Sequence, residues 1–380
     1  MSSLDHILLY LFIFIFISLW SNFNSHKLNV NYWITAICPI LLVSVITGCR
    51  YWGADYLWYK YQYEHLNTID IIIEQKSQPI FYALNCFLNY LGLNYVGAYI
   101  VYSLIYFIGA FHLLHYYGKE SKYMYWFITF AFLGFATGII RQGIAIGVVM
   151  FSLPYLYKKK YILFAICSLV AINIHTATVM LIGVLVLFYK YINVLVRPLY
   201  PIIFYLFITY IYNIGDIGFI GDFVQILSFD NTKFQGYVDN TDVWFSKDAQ
   251  QKRYTQGAVA LFLETLYIIS FFYIGYLALK IKYNKEITCL YNVTVVGYIL
   301  LRMFFNFELI RRFTMPMTIF YPISLGYAIY VLFPLIKDNR LSKRKMKYVC
   351  WSLGLISLYM ILYWGRFTFL NPDSIFIWSI

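Results

Sequence analysis

The chain has 380 residues, 62% of them hydrophobic and only 12% charged, with a mean hydropathy of +0.67, and that composition excludes an ordinary soluble globular protein. Its formal net charge of +12 is what Lys- and Arg-rich cytoplasmic loops give a membrane protein, so nucleic acid is not an expected partner.

Apolar runs recur along the whole length, each on the order of the 20 residues a helix needs to cross about 30 Å of hydrocarbon. They are continuously apolar rather than alternating, and backbone groups in lipid must be paired within the segment, so helices are the spanning element. In order, the pattern predicts helices over 4–20, 32–48, 95–117, 122–140, 142–157, 161–174, 176–190, 198–214, 257–279, 288–306, 313–334 and 348–364. The expected fold is all-α: a polytopic integral membrane helical bundle of about 12 transmembrane helices, one membrane domain over 1–380.

The first run, Leu4 to Trp20, has no basic residue before it and no small-residue cleavage site after it, so it reads as a retained helix. Cys38, Cys49, Cys86, Cys167, Cys289 and Cys350 are scattered singly, without metal-ligand spacing. Neither a metal nor another cofactor is expected.

The loops holding Lys27, Lys119 and Lys122, Lys158 to Lys160, Lys190 and Arg197, Lys280 to Lys285, and Lys337 to Lys347 alternate in the order one topology requires, and the positive-inside rule puts them in the cytoplasm. Both termini then lie outside, with a motif loop over 49–91 and a long external (periplasmic) loop over 215–256. The apolar piece Pro79 to Leu91 is short for a span and reads as a re-entrant or interfacial helix. If it crosses, the N-terminus and 49–78 move to the cytoplasm. The segment 215–256 mixes polar residues with Phe219, Phe223, Leu227 and Trp244, as a folded external cap over the bundle would.

This topology puts 14 of 19 lysines inside, but 7 of 10 arginines outside or at the outer membrane edge: Arg50, Arg141, Arg253, Arg302, Arg311, Arg312 and Arg366. A guanidinium fork suits bidentate contact with phosphate oxygens, where lysine is a point charge. Such a set points to an anionic ligand at the membrane boundary, a lipid phosphate or pyrophosphate. Ordinary ion pairing with Asp55, Glu264 or Glu308 is the plain alternative.

Arg141 stands between two apolar runs, in Gly138-Ile139-Ile140-Arg141-Gln142-Gly143. A charge at membrane depth costs roughly 2.5–3.5 kcal/mol unless it snorkels, meets water or holds an anion. It marks either a helix end at the interface or a ligand site. Arg50, Trp52, Asp55, Tyr56 and Tyr59 combine a cation, a carboxylate and aromatic rings, as a sugar-binding surface requires and as an interfacial aromatic belt also does. His175, between two short apolar segments, is either structural or a base for a sugar hydroxyl. His112 and His115 share an i, i+3 spacing but lack a third ligand. Arg302, Arg311 and Arg312, with Arg141 and Gln142, form a set able to bind a pyrophosphate and stabilise it as a leaving group.

At these residues the chain resembles the EpsG family of Wzy-type O-antigen and polysaccharide repeat-unit polymerases. The likeness rests on Gly48-Cys49-Arg50-Tyr51-Trp52-Gly53-Ala54-Asp55-Tyr56 with Tyr59, on Pro79-Ile80-Phe81, on Arg141-Gln142-Gly143-Ile144-Ala145, on His175-Thr176-Ala177 and on Arg311-Arg312-Phe313. These elements fall in the family's order. The family commonly has an acid before the proline that Pro79 matches, and here Gln78 stands there, with Glu74 four residues earlier.

The resemblance implies a metal-independent glycosyltransferase-type polymerase at the outer face of a bacterial inner membrane. It would transfer a growing glycan from undecaprenyl pyrophosphate onto an undecaprenyl-pyrophosphate-linked oligosaccharide, in contact with membrane lipid and a chain-length regulator protein. Arg141, Gln142, Arg302, Arg311 and Arg312 would bind the pyrophosphate and Arg50, Trp52, Tyr56 and Tyr59 the sugars, with His175 or Asp55 as base. A lipid-linked oligosaccharide flippase or transporter would want the same arginines, and an O-antigen ligase-like transferase is the nearer enzymatic alternative. A transporter would show two related halves, and no internal repeat is evident.

Overall fold

The computed structural model describes residues 3–25, 31–49, 56–65, 78–128, 140–212, 257–305 and 308–365, and the described residues are helical with no strand among them. The helices are α1 (Ser3–Ser25), α2 (Tyr32–Gly48), α3 (Tyr56–His65), α4 (Pro79–Tyr90), α5 (Tyr95–Tyr116), α6 (Ile140–Tyr157), α7 (Tyr161–Ile174), α8 (Thr178–Lys190), α9 (Leu199–Tyr210), α10 (Ala258–Ile281), α11 (Lys285–Met303), α12 (Glu308–Thr318), α13 (Tyr321–Lys337) and α14 (Lys343–Gly365).

Tyr95–Tyr116, Ile140–Tyr157, Ala258–Ile281 and Ile310–Lys337 are long and apolar enough to cross a membrane, while α2, α7, α8, α9 and the stretch Leu8–Asn24 of α1 are apolar but shorter. An integral membrane helical protein follows. The expected twelve spans exceed the four that length and composition support among the described residues. α4 has 12 residues and so runs about 18 Å, well short of about 30 Å of hydrocarbon. The 215–256 loop lies outside the described residues.

Two expected helices differ. Residues 122–128 of the expected helix 122–140 are not α-helical: a 3-10 turn at Gly118–Ser121 precedes them and another at Tyr125–Phe127 lies within them, while 129–139 fall outside the described residues. Docking shapes this segment: Tyr125 meets Trp20 edge-on at 5.0 Å, Trp126 meets Phe14 at 6.3 Å, and the Lys122 carbonyl accepts from Ser21 Oγ at 3.1 Å. The expected helix 313–334 is broken at Ile319 and Phe320, because Pro322 opens α13 and has no N–H for the carbonyl four residues back.

Proline inside a helix frees that same carbonyl, and in lipid it needs another donor. Pro39 in α2 frees the Thr35 carbonyl, which accepts from Trp20 Nε1 of α1 at 2.8 Å. Pro316 in α12 frees the Arg312 carbonyl, which accepts from Gln142 Nε2 of α6 at 2.7 Å. The sequence thus converts two backbone defects into ties between helices.

α5 and α6 form the most extensive helix pair. Gly109 lies on the Gly147 carbonyl so closely that a Cβ at 109 would overlap it, and a Cβ at 147 would lie 2.5 Å from the Tyr106 Cα. Small residues at such a crossing let backbones meet, the usual way helices associate in lipid. This contact fixes α6 about 9 Å along the helix from Arg141.

The apolar core divides in two. A large cluster draws on α1, α2 and α5 to α14, and a smaller one gathers Tyr56, Tyr59, Tyr63, Phe81, Tyr82, Tyr95, Tyr99 and Tyr102 with Ile140, Ile144 and Ile174. At the other end of α5, Lys282 Nζ meets Glu120 Oε1 at 2.6 Å and Asn284 Nδ2 donates to Glu120 Oε2 at 3.2 Å, closing the lysine-rich side.

Candidate functional site

The tyrosine-rich cluster sits where α3, α4, the start of α5, the start of α6 and the end of α7 converge. Local sequence builds it. Gly92, at φ +74, makes the left-handed turn between α4 and α5, and Asn94 then caps α5 by accepting from the Gly97 N–H at 2.9 Å. Tyr63 of α3 donates to the Leu93 carbonyl in that turn at 2.7 Å, and Tyr102 of α5 donates to Asn85 of α4. α3 and α4 are thereby locked onto α5.

Arg141, in the first turn of α6, projects into this cluster. Its Nε donates to Tyr59 Oη at 2.7 Å and its Nη1 to Gln78 Oε1 at 2.7 Å, while the guanidinium carbon lies 5.0 Å from the Tyr59 ring centroid and 5.7 Å from that of Phe81. Both acceptors are neutral, and no carboxylate among the described residues lies within ion-pair distance of Arg141. The positive charge is held in place and no described carboxylate cancels it, at a helix N-terminus whose own dipole favours anions.

Gln78 is the residue that sequence reasoning passed over. It is 7% exposed at the N-cap of α4, yet its side chain makes no capping bond. It reaches Arg141 through Oε1, and its Nε2 lies 3.5 Å from His175 Nδ1. His175 closes α7 in extended backbone, its N–H bonded to the Ala171 carbonyl at 2.9 Å and its carbonyl accepting from Thr178 Oγ1 at 2.7 Å. Arg141 and His175, 34 positions apart, meet across one amide. The one available signal was the glutamine ahead of Pro79.

Gln142, 1% exposed, spends its Nε2 on the Arg312 carbonyl, so it fastens α12 beside the start of α6. Arg302 and Arg311 flank one ring, their guanidinium carbons 5.1 Å and 5.3 Å from the Phe305 centroid. Arg311 is half-buried and Arg312 exposed. The Gln142 bond brings the α12 backbone at Arg312 to the first turn of α6, the turn that carries Arg141.

Tyr56 is 4% exposed, its ring edge-on to Tyr95 at 5.1 Å and Tyr99 at 6.4 Å, and Tyr59 is 7% exposed beneath Arg141. Arg50, Trp52 and Asp55 lie outside the described residues.

Gln142→Leu removes the donor that stands in for the missing Pro316 N–H. It is expected to cost about 1–3 kcal/mol, read as a lower unfolding temperature of the purified protein, with polymer synthesis reduced as α12 loosens.

A sequence model of the EpsG family matches residues 32–376. The chain belongs to the EpsG family. The match runs over nearly the whole chain, and EpsG is a Wzy-like polymerase family, so a membrane polysaccharide polymerase-type function and a part in polysaccharide biosynthesis come with membership. No curated protein and no solved structure matches the chain. In this EpsG-family chain, the family-like segments around Tyr59, Pro79, Arg141, His175 and Arg312 are the ones the described contacts join.

Proposed function

We propose that this EpsG-family chain polymerises lipid-linked repeat units, transferring a growing glycan from undecaprenyl pyrophosphate onto the sugar end of another unit, at the outer face of a bacterial inner membrane. The observation that supports this reading is Arg141: a guanidinium aimed by two neutral acceptors, uncancelled by any described carboxylate, on a helix start bonded through Gln142 to the Arg312 carbonyl of α12.

In the step, the acceptor hydroxyl oxygen forms a bond to the anomeric carbon of the donor glycan, and the bond from that carbon to the pyrophosphate oxygen breaks. The electron pair leaves with undecaprenyl pyrophosphate, and the hydroxyl proton passes to a base, for which Asp55 and His175 are the candidates. Charge thus builds on the departing pyrophosphate, where prearranged guanidinium donors are worth most. Arg141, with Arg302, Arg311 and Arg312, supplies them, and no metal ion is required if they do. Arg50, Trp52 and the nearby tyrosines orient the sugars.

Deleting the gene and resolving surface glycan on a gel tests this reading. A ladder that collapses to single-repeat material, restored by the wild-type gene, supports it. An intact ladder overturns it, and loss of even single-repeat glycan points to flipping or ligation.

A further inference from the structure

The Gln78 amide makes two contacts of opposite polarity, Oε1 to Arg141 Nη1 at 2.7 Å and Nε2 to His175 Nδ1 at 3.5 Å. A guanidinium only donates, so the amide oxygen must face Arg141 and the amide nitrogen must face His175. An amide nitrogen also only donates, so Nδ1 of His175 is the acceptor. In a neutral imidazole the proton then sits on Nε2, because the partner of one ring nitrogen sets the state of the other.

We propose that Gln78, oriented by Arg141, is a positioning residue that holds His175 as its Nε2–H tautomer, so that His175 meets the substrate as a hydrogen-bond donor rather than as the base. This rests on the polymerase reading above and chooses between the two roles open to the imidazole there. Both anchors are firm: Gln78 is buried at the start of α4, and the His175 backbone is bonded on both sides of the α7–α8 turn. For Nδ1 to take the hydroxyl proton it would have to give up Gln78, and Nε2 already carries a proton. Of the two candidate bases, that leaves Asp55 for the acceptor's proton, while Nε2–H would donate to oxygen as negative charge develops. A glutamine in place of an acid is what makes this so, since a carboxylate at position 78 would accept from Nδ1–H and reverse the tautomer.

Full-length protein labelled with 15N-histidine, in lipid nanodiscs at neutral pH, gives the test by nuclear magnetic resonance. His175 is assigned among the six histidines by the signal lost in His175→Gln. The expected wild-type pattern is a protonated Nε2 and an unprotonated Nδ1, with a proton moving onto Nδ1 in Gln78→Glu. A protonated Nδ1 in wild type, or a pattern unchanged in Gln78→Glu, overturns the proposal. Polymer synthesis gives an independent readout. Glutamine keeps an N–H near the Nε2 position but cannot act as a base, so His175→Gln is expected to retain at least about tenfold more activity than His175→Ala, itself down about 10²-fold. Equal loss in both variants, each present in the membrane, also overturns it. Wild-type protein that makes no polymer would defeat the polymerase reading and leave the tautomer result standing.

Discussion

Arg141→Ala is expected to lower polymer synthesis by about 10²–10³-fold, the scale on which removing one prearranged charge-stabilising donor acts. The change withdraws the donors to Tyr59 Oη and Gln78 Oε1 and the cation that lies over the Tyr59 and Phe81 rings. Gln78 then loses the contact that orients its amide, so His175 is affected as well. Arg141→Lys restores the charge but not the fork. One ammonium cannot reach the phenol and the amide from the geometry of Nε and Nη1, so it is expected to recover only part of the loss. The measurement is the rate of chain extension for variants matched in membrane abundance. Arg141→Ala within about threefold of wild type, a difference of less than 1 kcal/mol, would remove this arginine from the site.

The largest effect on stability is expected at the α5–α6 crossing. Gly109→Ala places a methyl group on the Gly147 carbonyl, and because the obstacle is backbone it cannot rotate away. The helices must separate, at a cost of about 3 kcal/mol or more, and α6 carries Arg141 and Gln142 with it. Purified Gly109→Ala protein is expected to unfold at a markedly lower temperature and to lose activity in step. Gly183→Ala in α8 is the contrast, since a Cβ there meets nothing within 4 Å and alanine favours a helix over glycine by about 1 kcal/mol. Equal unfolding temperatures for the two variants would mean that the crossing is not the close contact described.

The fold class was legible in the sequence because hydrocarbon imposes one rule, that each spanning segment satisfies its own backbone, and continuous apolar runs reveal where that happens. The α5, α6, α10 and α11 positions follow from it. The number of spans was not legible, since an apolar run of 12 to 14 residues such as α4, α7 or α9 reads alike whether it crosses or not. Docking contacts such as Tyr125 on Trp20 also override the helical repeat around residue 125.

In the site, Arg141 was legible because a charge in an apolar run stands out. The role of its partners was not. Gln142 reads as a phosphate ligand by adjacency to Arg141, and the sequence also held a clue to its bond with α12: Pro316 lies four residues after Arg312, which leaves that carbonyl in need of a donor. Tyr59 reads as part of a sugar platform, and the contact that local spacing does not reveal is its hydroxyl accepting from Arg141 Nε. Gln78 registered only as a departure from a family pattern. Its bridge from Arg141 to His175 depends on α4 and α7 packing side by side, a tertiary fact that no local spacing encodes.

The most direct test of polymerase activity centred on Arg141 uses the purified full-length protein in liposomes with undecaprenyl-pyrophosphate-linked repeat units as the sole substrate. Glycans of two or more repeats are expected together with released undecaprenyl pyrophosphate, both lost in Arg141→Ala. Transfer of intact lipid-linked units across the bilayer with no longer glycan formed would contradict polymerase activity.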